Sequence, residues 1–499
     1  MRFPDGARFN VARIRLSGNT VFTDEELAPL LQPVLGTEAT LADLEAAAER
    51  LMRYYRERGY LVARAFVPAQ DVKNGEVEIQ VREGRLGGVE VRTSGVTRIQ
   101  PQRLEAMVGA AVGPVEAEPL LRQDDLERAM LLMNDLPGIE AQATLLPGTR
   151  AATTQLLVGV KEGPRFAGSV GYDNYGDRYT GEHRPSAILH VNDIGGHGDQ
   201  ATLAYSGLKD SPYLSASYSW PAGASGLRLA ANVVYTRYRL CCEFASSDLT
   251  GKAQVAGLRA SYPVLRQRSR NLYVTLGVEE RLFVDSAAGV TTSDKRSRIA
   301  ALGMAYDARD DWAGSGLTFV NLGLTSDHLR QRVEPVHSES QTKANLFVGR
   351  LQTLPLDMEL YAALTAQHAS AALDSSEKMA LGGPNGVRAY PPNEALGDSA
   401  ALLNLELRRT LADRLQGYAF ADWGQVRNHG DGSGSGVPSS YHLAGAGIGL
   451  NYEQPGGYSA RGTLAAPIGG NPARAANNGN DSDGRNRSVR LWVQVQKSF

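Results

Sequence analysis

Two side chains in this chain are placed as if to meet. Arg388 is the one cation in Leu381–Pro392 (LGGPNGVRAYPP), a stretch crowded with turn-formers: Gly382, Gly383, Pro384 and the pair Asn385-Gly386. Val387 and Tyr390 flank it. Further on, Phe420–Gly424 (FADWG) sets a single carboxylate, Asp422, inside an alternating pattern. A guanidinium and a carboxylate held together away from water make a charge-assisted, geometrically specific contact. Left in solvent, the same two residues are a loop arginine and a wall aspartate that never touch, and spacing alone does not choose. The first reading requires the loop to tuck inward, between segments at Met358–Ser370 and Ser399–Leu411 that read as strands. A long loop without regular structure is usually functional or disordered.

Other chemistry is hard to find. The chain has no phosphate-cradling G-x-x-x-x-G-K-[ST] and no H-E-x-x-H. His183, His190 and His197 recur every seven residues but fall on different strands and turns, so solvated or wall-facing histidines are expected rather than a metal site. GAGIG at Gly445–Gly449 lies in an alternating strand with no helix after it, which denies it the strand–turn–helix of a dinucleotide site and leaves small-residue packing. GDGSGSG (Gly430–Gly436) reads as flexible loop. No enzyme and no cofactor are expected.

Composition excludes little. With 52 basic and 54 acidic residues, charge gives no argument for a nucleic-acid partner. Nothing approaches the roughly 18 consecutive apolar residues of a transmembrane helix. A negative mean hydropathy would suggest a soluble protein, but alternation in a membrane β-barrel hides the apolar signal in the average. The only cysteines, Cys241 and Cys242, are adjacent and cannot staple distant segments. They read as two small residues after a strand ending at Leu240, the other reading being a strained vicinal disulfide. The opening MRFPDGARFNVARI holds no apolar core of secretory-signal length, so a protein acting outside the cytoplasm is expected to have had a preceding segment.

The elements that must position the pair fall into two regimes. Up to Gly163 the pattern is mixed α/β and occurs twice. Phe9–Gly18 alternates as a strand; Thr23 with Glu26 makes a capping box for a helix holding Leu27, Leu30 and Leu31. Thr40 starts a second helix with Leu41, Leu44, Ala48, Leu51 and Tyr55 on one face, stopping at Gly59. Val62–Gln70 and Glu76–Gly84 then pair through a turn that includes Asn74-Gly75. The order β-α-α-β-β returns in Gly87–Arg92, a helix from about Gln102, a helix holding Leu120, Leu121, Leu126, Met130 and Met133, and strands at Glu140–Gly148 and Thr153–Gly163. Both copies end alike, V-R-E-G at Val81–Gly84 and V-K-E-G at Val160–Gly163.

From Pro164 onward helical periodicity is gone and apolar residues alternate with polar or small ones. Leu214, Ala216, Tyr218 and Trp220 oppose Ser215, Ser217 and Ser219; Leu403, Leu405 and Leu407 oppose Asn404, Glu406 and Arg408; Val489, Leu491, Val493, Val495 and Phe499 oppose Arg490, Gln494 and Gln496. Segments of about ten residues with this dyad, about 16 of them with aromatic residues such as Trp220 and Phe499 at strand ends, point to an outer-membrane barrel with an aqueous lumen. A soluble antiparallel sheet with one wet face is the plainer alternative. If the repeats are periplasmic and the first strand runs outward, parity makes the Arg388 loop the sixth external one.

With these parts assembled, the chain resembles the two-partner secretion transporters, the haemolysin/haemagglutinin secretion–activation proteins of ShlB/FhaC/HecB type, which are relatives of the BamA insertase. Two POTRA-like repeats, the barrel, GGPNGVRAYP, FADWG and DNYGDRYTGEHR (Asp173–Arg184) carry the likeness from Phe9 to Phe499. The resemblance implies a stub at 1–8 (signal, plug helix and linker not included), POTRA 1 at 9–84, POTRA 2 at 85–163 and a transmembrane barrel at 164–499 with an inward loop at 377–397. It implies a lumen latch of Arg388, Asp422, Val387, Tyr390, Gly383, Phe420 and Gly424. Ala389 stands where the family motif has glycine, and alanine is strained there if the backbone needs a positive φ. The terminal Phe499 is the expected assembly signal for the barrel-assembly machinery. The implied activity is export of an unfolded secreted exoprotein, an adhesin or haemolysin, across the lipid of the outer membrane without ATP. The repeats would capture it at a sheet edge, with Gln70 and Val62–Pro68 as candidates. The alternative from another class is an insertase that folds other barrels; a passive porin or gated receptor is the third.

Overall fold

A computed structural model describes residues 8–95, 98–208, 210–429, 438–474 and 478–499. The stub ahead of residue 8 and the glycine-rich run at 430–436 lie outside these. The chain falls into two compact units, Met1–Gly163 and Pro164–Phe499.

In the first unit the two repeats share one topology. Arg13–Ser17 runs parallel to Glu76–Arg82, which pairs antiparallel with Arg64–Phe66; in the second, Arg85–Thr93 is parallel to Thr153–Glu162, which pairs with Ile139–Pro147. Helices Asp24–Leu31 and Leu41–Glu57 start at Thr23 and Thr40, each with a complete capping box. Leu27, Leu31, Leu51 and Tyr55 pack from them onto Ile79 and Val81.

Three expected elements are shorter than alternation suggests. The strand expected at Phe9–Gly18 breaks at Val11–Ala12, where the chain changes hydrogen-bond partners. Val11 bonds to Thr37 and Gly36, while Ala12 bonds to Gly75. The strand expected at Val62–Gln70 shrinks to Arg64–Phe66. Pro68 offers no donor, and beyond it the Gln70 side-chain amide takes the strand's place, exchanging 2.7 Å bonds with the N–H and carbonyl of Glu78. Leu120 and Leu121 lie before the helix Gln123–Asn134; they are extended, bonding at Gly84 and bridging to Arg85.

The shared V-x-E-G ending has a shared job. Glu83 accepts the N–H groups of Thr20 (2.6 Å) and Val21 (2.7 Å) and the hydroxyl of Tyr55 (2.9 Å). Glu162 accepts those of Arg98 (2.7 Å) and Ile99 (2.9 Å). Each glutamate thus ties the end of its last strand to the loop entering its repeat's first helix. Burial alone would raise the Glu83 carboxyl, but donors from Thr20, Val21 and Tyr55 outweigh it and hold it below its ordinary value of 4.5. Its contribution to stability is therefore present above pH 4.5 and lost as pH falls through the lowered folded value. We expect Glu83→Gln to destabilise the N-terminal unit by about 1–3 kcal/mol at neutral pH. Urea denaturation across pH 3 to 7 (about the range in which a carboxyl titrates) should show a flatter profile than wild type.

The second unit is a closed antiparallel barrel of 16 strands, from Phe166–Asp173 to Arg490–Ser498, whose last strand pairs with its first. Lipid-side apolar residues such as Val233, Leu258, Leu276 and Ile448 are more than half exposed, as a belt facing hydrocarbon would be. The aromatic Trp220 and the terminal Phe499 are also exposed, and the Phe499 backbone closes the seam by a pair of 2.9 Å bonds to Gly168. The expectation of two unbonded cysteines is corrected: Cys241 and Cys242 are bonded to each other in the connection after Arg228–Arg239. Wall heights differ. Gln200–Ser206 has 7 residues, whereas Val290–Asp310 has 21, its neighbours Arg270–Ala287 and Gly316–Gln331 have 18 and 16, and His337–Leu354 beyond them has 18.

Candidate functional site: a loop seated in the barrel

The connection between Met358–Ala369 and Ser399–Ala412 does not project outward. It folds into the barrel and is buried there, because the wall behind it is apolar where a lumen is normally polar. Leu402 on Ser399–Ala412, Phe420 and Val426 on Leu415–Arg427, and Leu443 on Ser440–Gln454 face inward and pack with Leu381, Val387, Ala389 and Tyr390 of the loop in one core.

Small residues make room for this. A Cβ on Gly424 would lie 2.8 Å from the Leu381 side chain, and one on Gly445 would lie 2.6 Å from the Ala389 methyl. On the same strand, added Cβ atoms at Gly447 and Gly449 would meet Phe420 at 2.6 Å and Tyr418 at 2.2 Å. The GAGIG run is therefore the recess into which the loop and its aromatic platform fit. Gly383, at φ 107°, makes the turn that folds the loop on itself, and its N–H bonds to the Tyr390 carbonyl. Ala389 is not among the residues with positive φ, so alanine there carries no backbone strain.

Arg388 and Asp422 meet. Arg388 is 3 % exposed, and its Nε and Nη2 donate to the two oxygens of Asp422 at 2.9 and 2.7 Å while its backbone N–H donates at 3.0 Å. The guanidinium carbon lies over the Phe420 ring, 3.5 Å from its centroid. Asn404, directly opposite Asp422 in the ladder, donates to Asp422 (2.7 Å) and to the Gly386 carbonyl (3.0 Å).

A second carboxylate belongs to the same cluster. Glu406 sits opposite Phe420 and accepts from Arg388 Nη1, from Arg408 at 2.6 and 2.8 Å and from Arg461 at 3.1 Å. Spacing does not single Glu406 out, although alternation puts it on the inner face beside Asn404; only the register of the strand pair carries it to the guanidinium. Trp492 and Arg490 are missed likewise. The indole donates to the Arg388 carbonyl at 2.8 Å and Arg490 to the Ala389 carbonyl at 3.2 Å.

The stem of the loop is bolted to the opposite wall. Glu377 accepts from Arg281 (2.6 Å) and Lys343 (2.8 Å), and Asp374 from Lys295 (2.5 Å). These cations stand on the inner faces of the tall strands, which gives their extra height a use. Glu394 is held from a third side by Asn471 and by the N–H of Ser482, both at 2.7 Å. No group of His, Cys, Asp and Glu suited to a metal occurs among the described residues.

The family described as haemolysin secretion/activation protein ShlB/FhaC/HecB matches residues 152–452, and the POTRA domain of ShlB type matches residues 9–84. The heme/hemopexin transporter protein HuxB of Haemophilus influenzae is 26% identical over 517 residues, covering 100% of this chain and 88% of HuxB. Among solved structures, CdiB from Escherichia coli superposes with a TM-score of 0.78 at 21% identity, covering 99% of this chain and 91% of that one. BamA from Haemophilus ducreyi lacking POTRA domains 1–3 superposes at 0.55 with 16% identity, covering 98% and 100%. These two likenesses are of fold. The matched family spans more than half of the sequence, and the chain accordingly belongs to the haemolysin secretion/activation protein ShlB/FhaC/HecB family, outer-membrane transporters with their POTRA repeats in the periplasm.

Proposed function

We propose that this two-partner secretion transporter passes one unfolded exoprotein of adhesin or haemolysin type through its barrel to the cell surface, with the Arg388 cluster acting as the latch that keeps the inturned loop against one wall. The observation that supports this most is the buried convergence of Arg388, Asp422 and Glu406 inside a closed barrel. An arginine fork shared by two carboxylates fixes direction as well as distance, so the loop tip has one seat rather than many. The repeats are the place of capture. A free sheet edge there can take an extended cargo segment as an added strand, with main-chain hydrogen bonds supplying affinity. On the Arg64–Phe66 side the edge is partly closed by the Gln70 amide, which points to the Arg13–Ser17 strand as the better docking edge. No nucleotide motif occurs in the chain, and folding of the cargo outside supplies direction.

The test is co-expression with a candidate cargo, a long, repeat-rich exoprotein from the same organism. Full-length cargo should reach the medium only when both are present. If cargo export is unaffected by loss of the chain and other barrels instead fail to reach the outer membrane, the insertase reading takes its place.

A further inference from the structure

Near the external turns the outer surface of the barrel gathers cations on one group of adjacent strands. Side chains of even number on Thr250–Arg266, Arg270–Ala287, Val290–Asp310 and Gly316–Gln331 face away from the lumen, as the exposure of Leu258, Leu276, Leu302 and Leu324 marks. Following those strands toward the external turns, Leu282 and Val284 keep Arg270–Ala287 apolar, while Arg298, Arg296, Arg330 and Lys252 take outward positions on the other three, joined by Arg237 on the neighbouring strand.

The register stacks like charges on one another. Arg296 lies directly opposite Arg330, and Arg237 opposite Lys252. Like charges directly opposite each other in an antiparallel pair are destabilising. Two acids stand in the group: Glu280 already serves both Arg296 (2.5 Å) and Arg298 (3.4 Å), and Asp294 is taken by Arg332. The Arg298 side chain remains 65% exposed, and Arg330 is exposed with no acid partner among the described residues. Toward the external ends of other walls the outward positions include Tyr172, Trp423, Gln425 and His442, and the exposed Arg427 there lies opposite Ser399 and Ser440 rather than opposite another cation.

Immediately below the cations lies an apolar groove of about 730 Å³, lined by Leu258, Leu276, Val278, Ala300, Leu302 and Leu324. The pairings Leu258–Val278 and Val278–Ala300 make it continuous with the row Glu280–Arg298 just above. A charged side chain on the lipid face is tolerated at the headgroup level and costly at the midplane, so these cations mark the outer-leaflet headgroup plane. We infer that this sector is a specific site for a phosphate-bearing glycolipid of the outer leaflet, its phosphates bridging Arg296, Arg298 and Arg330 and its acyl chains lying in the groove beneath. Guanidinium groups bind phosphate bidentately, and anionic headgroups draw basic clusters at a membrane surface. The lipid supplies anions to Arg330 and to Arg296 and Arg298, which share the single carboxylate of Glu280. Because the site is on the outside of the barrel, it is independent of the latch within.

The experiment uses the full chain, stripped of lipid in detergent and offered diphosphorylated lipid A, its phosphate-free counterpart, or inorganic phosphate with lipid A, with adducts read by native mass spectrometry. Wild type should retain lipid A and ignore the phosphate-free form. The triple variant Arg296→Gln/Arg298→Gln/Arg330→Gln should lose about tenfold or more in affinity, and Glu280→Gln should gain. Arg427→Gln, an exposed arginine on a different wall, should leave retention unchanged. Equal retention of the phosphate-free lipid, unaltered binding by the triple variant, or displacement by inorganic phosphate at matched concentration would each overturn the inference. Should the triple variant fail to show heat-modifiable migration of a folded barrel, Arg330→Gln alone, which removes no ion pair among the described residues, carries the same decision.

Discussion

Arg388→Ala is expected to leave the barrel assembled and to reduce cargo in the medium by more than tenfold. The reason is the charge it strands. Without the guanidinium, Asp422 keeps the Asn404 amide and the backbone N–H at position 388 but no cation, and sits buried in the lumen wall. Removing one partner of a buried pair costs about 3–5 kcal/mol, enough for the tip to leave its seat in most molecules. The stem is held independently by Arg281, Lys295 and Lys343, so the loop is not released outright but swings on that anchor into the path of the cargo. Asp422→Ala should also reduce export, but less, because Arg388 retains Glu406 and the face of Phe420. Arg388→Lys should resemble the alanine variant more than wild type, since an ammonium cannot fork between two carboxylates while stacking on a ring. Immunoblots of medium and of heat-modifiable barrel in the outer membrane measure both quantities together. Normal secretion from the two alanine variants would sink the latch.

The second large effect is expected from deleting Phe9–Gly84. Cargo capture should fall to background in a pull-down with the exoprotein's N-terminal segment, while planar bilayers still record a conducting pore. The first repeat carries its own core and both of its capping boxes, so its removal takes a complete folding element. The second repeat loses two backbone bonds: the Gln123 N–H gives up the Gly59 carbonyl at 2.8 Å and the Leu121 N–H gives up the Gly84 carbonyl at 3.2 Å. Both donors can turn to water, so Arg85–Glu162 should keep its fold. Undiminished capture by the deleted chain would move the docking edge to the second repeat. A lost pore would show that the barrel depends on the first repeat for assembly.

How much of this was legible in the residues varies by element. Helix starts at Thr23 and Thr40 were readable because a capping box is a local contact, complete within four residues. The dyad of the barrel was readable because each strand is a boundary between lipid and water, and that boundary writes itself on alternate positions. The reciprocal tie of Glu83 and Glu162 could be seen only as a repeated spelling; what the glutamates bond to lies some sixty residues away in sequence, at Thr20–Val21 and Arg98–Ile99. The strand breaks at Val11 and Pro68 went unseen because alternation persists through a change of partner.

At the latch, local composition named Arg388 and Asp422, since one cation among turn-formers and one acid in a strand stand out against their neighbours. Glu406, Trp492 and the stem cations do not stand out, because charged and aromatic residues on a lumen face are ordinary. They became part of the site through strand register and barrel closure, which bring Glu406 opposite Phe420 and carry the last strand back beside the first. The sequence by itself determined the two regimes, the repeat and the identity of the central pair, all of which rest on contacts or solvent boundaries within a few residues. Which side chains share the guanidinium, and which wall holds the stem, were decided only by tertiary structure. A closed sheet sets neighbours by shear and stagger around the whole ring, a property that no short stretch of chain contains.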